Sequence, residues 1–215
     1  EKISTSNQEA YELFQEIMYH FLRRGLVSFP TEESLFKVIE MDPEYADAYA
    51  WLGFSALLGV GYYTGLSENI ELTVYDAIPY VNKAIELDPD NAMAYIVLGL
   101  YNVWVKWDYP EAEKNLLKAK QLEPNNNFNR IVLASFYLSM DGMEELESFI
   151  PFIEEESDVV MGYYAKLKNP QAFQVARKKY SEFAGDLALP QIGEYCIWLG
   201  EYDSARSCFD KAMKS

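Results

Sequence analysis

Ala84-Ile85-Glu86-Leu87-Asp88-Pro89 decides how this chain is read, because it is one of three variations on a single refrain. Val38-Ile39-Glu40-Met41-Asp42-Pro43 comes before it and Ala119-Lys120-Gln121-Leu122-Glu123-Pro124 after it. Proline removes a backbone donor and biases the preceding residue away from α geometry, so each copy closes a helix. The residues after each copy also repeat: Tyr49-x2-Leu52-Gly53, then Tyr95-x2-Leu98-Gly99, then Arg130-x2-Leu133-Ala134. Such punctuation describes units of a stacked helical array.

The pattern resembles the tetratricopeptide repeat, which carries an aromatic, Leu-Gly and Tyr on its first helix, then Ala-x3-Phe-x2-Ala and a closing Pro on its second. One unit reads Tyr49, Leu52, Gly53 and Ala56, then Ala77, Val81, Ala84 and Pro89. The next reads Tyr95, Leu98 and Gly99, then Ala112, Leu116, Ala119 and Pro124, with Asn102 where tyrosine is usual. Gly193, Cys196, Gly200-Glu201-Tyr202-Asp203, Ala205, Phe209 and Ala212 make a third at the C-terminus. Small residues at Gly53, Gly99, Ala134 and Gly193 are expected to let paired helices approach closely. Leu35, Val81, Leu116 and Phe209 then fill the remaining space. A single pair cannot bury its apolar face alone, so about three or more must stack.

The spacing also predicts irregularities. Pro89 and Pro124 are 35 residues apart, one more than the usual period of about 34. Pro43 and Pro89 are 46 apart, and the surplus falls in the Gly-punctuated stretch Gly59 to Glu68, with Ser67 as the expected N-cap of the resuming helix. Pro151 interrupts one later pair, and Asn169-Pro170 divides another as a cap followed by proline at the first helical position. The expectation is an all-α, right-handed superhelix of about six antiparallel pairs, twelve helices, forming one domain over residues 1–215. Its approximate units are 7–43, 44–89, 90–124, 125–156, 157–182 and 186–215.

A narrower resemblance rests on the order of several motifs: Ser6-Asn7-Gln8-Glu9-Ala10-Tyr11-Glu12-Leu13-Phe14, Tyr19-His20-Phe21-Leu22-Arg23-Arg24, the unit with the long insertion, and Lys106-Trp107-Asp108-Tyr109-Pro110-Glu111-Ala112-Glu113. Over most of residues 6–125 they look like the repeat region of bacterial multidomain signalling proteins with a winged-helix, adenylate cyclase or kinase output domain. The resemblance implies a sensory or scaffolding portion of such a regulator. The start at Glu1-Lys2 fits an excised piece and a processed mature chain alike.

Composition narrows the function classes. Half of the 215 residues are hydrophobic and 15% aromatic, which argues against disorder. No apolar run approaches the roughly 18 residues needed to span a bilayer. A net charge of −16 argues against direct nucleic-acid contact, which depends on Lys and Arg. Glu144, Glu145, Glu147, Glu154, Glu155, Glu156 and Asp158 form an acidic stretch, and Lys166, Lys168, Arg177, Lys178 and Lys179 a basic one; successive pairs of opposite sign should attract when stacked. The acidic stretch lacks the glycine a calcium loop requires. His20 is the only histidine, so metal or nucleophile chemistry built on imidazole has one residue to work with. Gly59-x-Gly61-x3-Gly65 lacks the strand before and the Lys-Ser or Lys-Thr after that a phosphate loop needs. Cys196 reads as a packing residue, and with Cys208 it makes no disulfide framework. No catalytic constellation, metal site or cofactor is expected, and the chain is read as not an enzyme.

In the resembled family, first-helix positions two, five, nine and twelve face a concave groove. The resemblance therefore implies a groove of Asp47, Ala50, Phe54 and Leu57; Met93, Ile96, Leu100 and Val103; and Phe128, Ile131, Ser135 and Leu138. That set is apolar and lacks the Lys, Arg and Asn of carboxylate-clamping grooves, so it suits an amphipathic helix or extended apolar segment. The alternative is a groove filled by the insertion, Tyr62 and Tyr63 included, or by tight curvature. The expected function is a noncatalytic scaffold or sensory module for a protein segment or neighbouring domain. A small-molecule sensor using Tyr62, Tyr63, Trp104 or Trp107 is the alternative, and self-association as a homodimer a third reading. The expected compartment is the cytoplasm, with an extracytoplasmic segment of a membrane-anchored regulator as the other option.

Overall fold

The structure is a computed structural model and describes residues 5–24, 32–58, 73–153 and 157–214. These carry twelve α-helices and, among the described residues, no strand. They pair in chain order: α1 (Gln8–Arg24) with α2 (Glu32–Met41), α3 (Ala46–Leu58) with α4 (Ala77–Leu87), and α5 (Ala92–Tyr101) with α6 (Tyr109–Leu122). Then come α7 (Asn127–Ser139) with α8 (Met143–Phe149), α9 (Asp158–Lys166) with α10 (Pro170–Ala184), and α11 (Leu189–Leu199) with α12 (Tyr202–Ala212). The fold is all-α and of the tetratricopeptide type. By contacts the chain divides into two compact units, residues 1–125 and 126–215.

The refrain does in space what it promises in sequence. In all three copies the residue before proline donates its N–H to the carbonyl four back: Asp42 to Val38 at 2.9 Å, Asp88 to Ala84 at 2.8 Å, Glu123 to Ala119 at 3.0 Å. Asp88 itself is extended, φ −138° and ψ 99°, the region a residue before proline prefers. The chain then turns, and Asn91 and Asn126 cap the next helices through their side chains, as Asp108 and Asn169 cap α6 and α10.

The small residues sit where close approach requires them. A Cβ on Gly53 would lie 2.7 Å from Val81 Cγ2, one on Gly99 2.6 Å from Leu116 Cδ2, and one on Gly193 2.8 Å from Phe209. Val81, Leu116 and Phe209 are among the residues expected to fill the remaining space, and the structure pairs each with one of these glycines. In the first unit the core joins α1, α2 and α3 through Ala10, Phe14, Leu35, Val38, Tyr45, Ala48 and Leu52, with the Phe14 and Tyr45 rings 5.0 Å apart. A buried polar link accompanies it: Ser55 Oγ donates to Glu32 Oε1 at 3.0 Å. Removing the hydroxyl in Ser55→Ala strips a partner from a buried carboxylate and should cost about 1–3 kcal/mol, measured by urea unfolding.

The one-residue surplus between Pro89 and Pro124 becomes visible as a π-helical turn, Asn102–Lys106, continuing α5. Trp107 N–H reaches back five residues to the Asn102 carbonyl, and Asp108 N–H shares that acceptor at 2.9 Å. The wide turn lies after Gly99 and before the next helix begins, and Gly99 meets Leu116 across the pair. No helix among the described residues is long and apolar enough to cross a membrane. The insertion at Gly59 to Asn69, with its expected cap Ser67, lies outside the described residues.

Candidate functional site

In the first unit α3 and α5 lie side by side. Asn91, the cap of α5, joins them: its Oδ1 accepts from Ala94 N–H at 2.9 Å while its Nδ2 donates to Asp47 Oδ1 at 2.6 Å. Asp47, half-buried, is thus engaged in holding one helix pair to the next. Of the other implied groove residues, Ala50, Phe54, Leu57, Ile96 and Leu100 are buried, whereas Met93 and Val103 are half-buried. A lysine at Phe54 or Leu100 would therefore test folding as much as binding. Met93 and Val103 are the positions where a partner's contribution separates from the core's.

In the second unit, Phe128, Ile131 and Ser135 on α7 are half-buried and Leu138 is buried. Gly162 explains Leu138: a Cβ there would lie 2.6 Å from Leu138 Cδ2 and 2.9 Å from Tyr195 Cζ. The first helices of three successive pairs thus close on one another at a glycine. Lys166 adds a polar tie, its Nζ 2.5 Å from Asp141 Oδ1 and 4.8 Å over the Trp198 ring. One cation of the basic stretch therefore links the α7–α8 turn, α9 and α11.

Asp158, at the start of α9 behind the Ser157 cap, sits among tyrosines. Burial pushes its carboxyl up, outweighing hydrogen bonds from the Val159 and Asp158 backbone and from Ser157 that pull it down. The same neighbourhood pushes Tyr180 up to about 12 and raises Tyr195 further, through burial first and the Asp158 charge second. A carboxyl raised on folding disfavours its own ionisation in the native state. That penalty is absent below the unfolded value, grows as pH rises through the folded one, and persists above it. Asp158→Asn should accordingly raise the melting temperature at pH 7, with the gain shrinking towards pH 4. A variant equally or less stable at pH 7 would contradict this.

Other candidates offer little chemistry. Both cysteines are free and buried, and burial pushes the Cys196 thiol up, away from nucleophilic use. Among the described residues no cluster of His, Cys, Asp and Glu could hold a metal ion. Tyr62, Tyr63, the glycines at 59, 61 and 65, and the His20 side chain lie outside the described residues. Trp104 and Trp107 are exposed, at 48% and 71%.

Sequence reasoning did not single out the Asp47–Asn91 link, Gly162 or the π turn. The surplus residue signalled the last; the first two join residues far apart in the chain.

No family model and no curated protein matches the chain. Among solved structures it is similar to YrrB, described as a TPR protein with an unusual peptide-binding site, at 20% identity and TM-score 0.46, over 86% of this chain and 93% of that one. It is also similar to two structures of MamA, both at 21% identity and TM-score 0.35, covering 90% and 95% of this chain and 91% and 92% of theirs.

Proposed function

We propose that this chain is a noncatalytic interaction module whose first-helix faces hold an apolar or amphipathic segment of another protein or of a neighbouring domain. The observation that carries the reading is on α5 and its π-helical extension: Met93 and Val103 stay half-exposed on the implied face while the implied residues between them pack inward. Phe128 and Ile131 give the second unit a comparable apolar strip, with Ser135 its polar member. Neither strip presents a lysine or arginine at the implied positions, which suits apolar side chains over a terminal carboxylate. The ordered motifs of residues 6–125 support placing the module within a multidomain bacterial signalling or transcription regulator, as one continuous domain with a cytoplasmic location. A small-molecule sensor and a self-associating unit are the competing readings.

A panel of amphipathic helical peptides with Leu, Ile and Phe on one face tests the proposal by isothermal titration. Met93→Glu and Val103→Glu should each weaken retained peptides about tenfold or more, since each buries a charge against apolar side chains. Circular dichroism must show unchanged helix content. Unaltered affinity in both variants, or no peptide bound, would remove the first-unit face from the account.

A further inference from the structure

Two copies of the refrain end in the same turn. Asp42 Oδ1 accepts from Glu44 N–H at 3.0 Å, and Asp88 Oδ1 accepts from Asp90 N–H at 3.2 Å. Tyr45 and Asn91 close these turns by donating their N–H groups to the Asp42 and Asp88 carbonyls, at 3.2 and 3.1 Å. Each turn leaves an exposed acid, Glu44 or Asp90, just ahead of a first helix. The third copy has Asn125 in that place.

The Asp47–Asn91 hydrogen bond, 2.6 Å long, brings the two turns side by side, because Asp47 follows closely on Glu44 and Asn91 directly on Asp90. Met93, the half-exposed start of the implied strip on α5, comes next after Ala92. One end of the apolar face is therefore bordered by carboxylates from two turns. Asp42, Glu44 and Asp90 form no ion pair among the described residues. The lysines of the adjoining second helices are engaged elsewhere: Lys83 Nζ lies 3.1 Å from Glu86 Oε1, and Lys118 5.9 Å over the Tyr95 ring. The negative charge of Glu44 and Asp90 is thus a local property of this edge, and it complements a cation.

We propose that the apolar segment held on the α3–α5 face carries a lysine or arginine beside its apolar residues, and that this cation sits at the Met93 end against Glu44, Asp47 and Asp90. The inference rests on the interaction-module reading and adds to it the partner's charge pattern and its orientation on the face. Apolar side chains of the segment cover Met93 and Val103, while its cation meets the carboxylates at the rim, where an ion pair stays hydrated and fixes orientation more than strength. The probes are fluorescein-labelled amphipathic peptides that share one Leu, Ile and Phe face and carry two lysines or two glutamines at either end, followed by anisotropy in about 0.15 M salt. With the lysines at one of the two ends, affinity should exceed that of the glutamine counterpart about fivefold; at the other end the gain should stay below about twofold. Glu44→Gln/Asp90→Asn should bring the lysine preference to within about twofold and leave the glutamine peptides unchanged. Glu144→Gln/Glu145→Gln, which removes the same charge from α8, should keep the preference. Equal binding of lysine and glutamine peptides, an equal gain at both ends, a preference that survives Glu44→Gln/Asp90→Asn, or one lost in Glu144→Gln/Glu145→Gln would each overturn the proposal and leave the apolar face standing. If no peptide of the set binds, the interaction-module reading falls and this inference with it.

Discussion

Gly99→Leu should destabilise the first unit by about 3 kcal/mol or more, towards the upper end of what overpacking a core costs. At this position α5 meets α6 with no room for a side chain. A Cβ would lie 2.6 Å from both Cγ and Cδ2 of Leu116 and 3.3 Å from the Ala112 carbonyl. A χ2 flip leaves Leu116 Cγ in place, and the Ala112 carbonyl is backbone, so a larger side chain at 99 meets atoms that only a χ1 change together with a backbone shift can move. The helices must separate, and Ala112, Leu116 and Ala119, all buried, lose their contacts with α5. Urea unfolding followed by circular dichroism measures the loss. Leu116→Ala alone should cost about 2–5 kcal/mol through the cavity it leaves. With Gly99→Ala, the Leu116→Ala background should be destabilised by less than the two single costs combined, because the new methyl enters the space that leucine vacated. Strict additivity would show that the close approach of Gly99 to Leu116 is not the seat of the cost.

Gly162→Leu should be comparably damaging in the second unit, again by about 3 kcal/mol or more. Gly162 does not face its own paired helix. It faces Leu138 of α7 and Tyr195 of α11, at 2.6 and 2.9 Å from where a Cβ would stand. A leucine there wedges three first helices apart and exposes Tyr195 and Leu138, both buried in the parent. Because Lys166, one turn further on, ties the same three pairs together, the loss should appear as a lowered midpoint of the whole second-unit transition. Limited proteolysis should open within residues 158–199. Gly162→Ala is the graded control and should cost less than leucine, since Tyr195 Oη at 3.1 Å can swing aside. A leucine variant as stable as the parent would mean α9 is not held between α7 and α11.

Much of this architecture is local chemistry. Three prolines, each preceded by an acid, stop helices through the same hydrogen bond. Gly53 and Gly99, each about two turns into the helix after a refrain, mark the contact with its pair. Both features follow from backbone sterics, so they could be read residue by residue. The candidate surface was less legible. Positional analogy implied twelve groove residues, yet an analogy of position does not say how much of a side chain its neighbours cover. Phe54, Ile96 and Leu100 are spent on packing, and Asp47 on Asn91, a residue 44 positions away.

The amino-acid order alone determined the all-α class, where helices stop, and which small and which apolar positions share the space within a pair, because those depend on φ restriction, capping and Cβ volume over a few turns. Only the tertiary structure decided which apolar residues remain available to a partner, that Gly162 clamps three helices, and that one surplus residue becomes a π turn displaying two tryptophans. Exposure depends on neighbours brought together from distant parts of the chain, and no local rule carries that information.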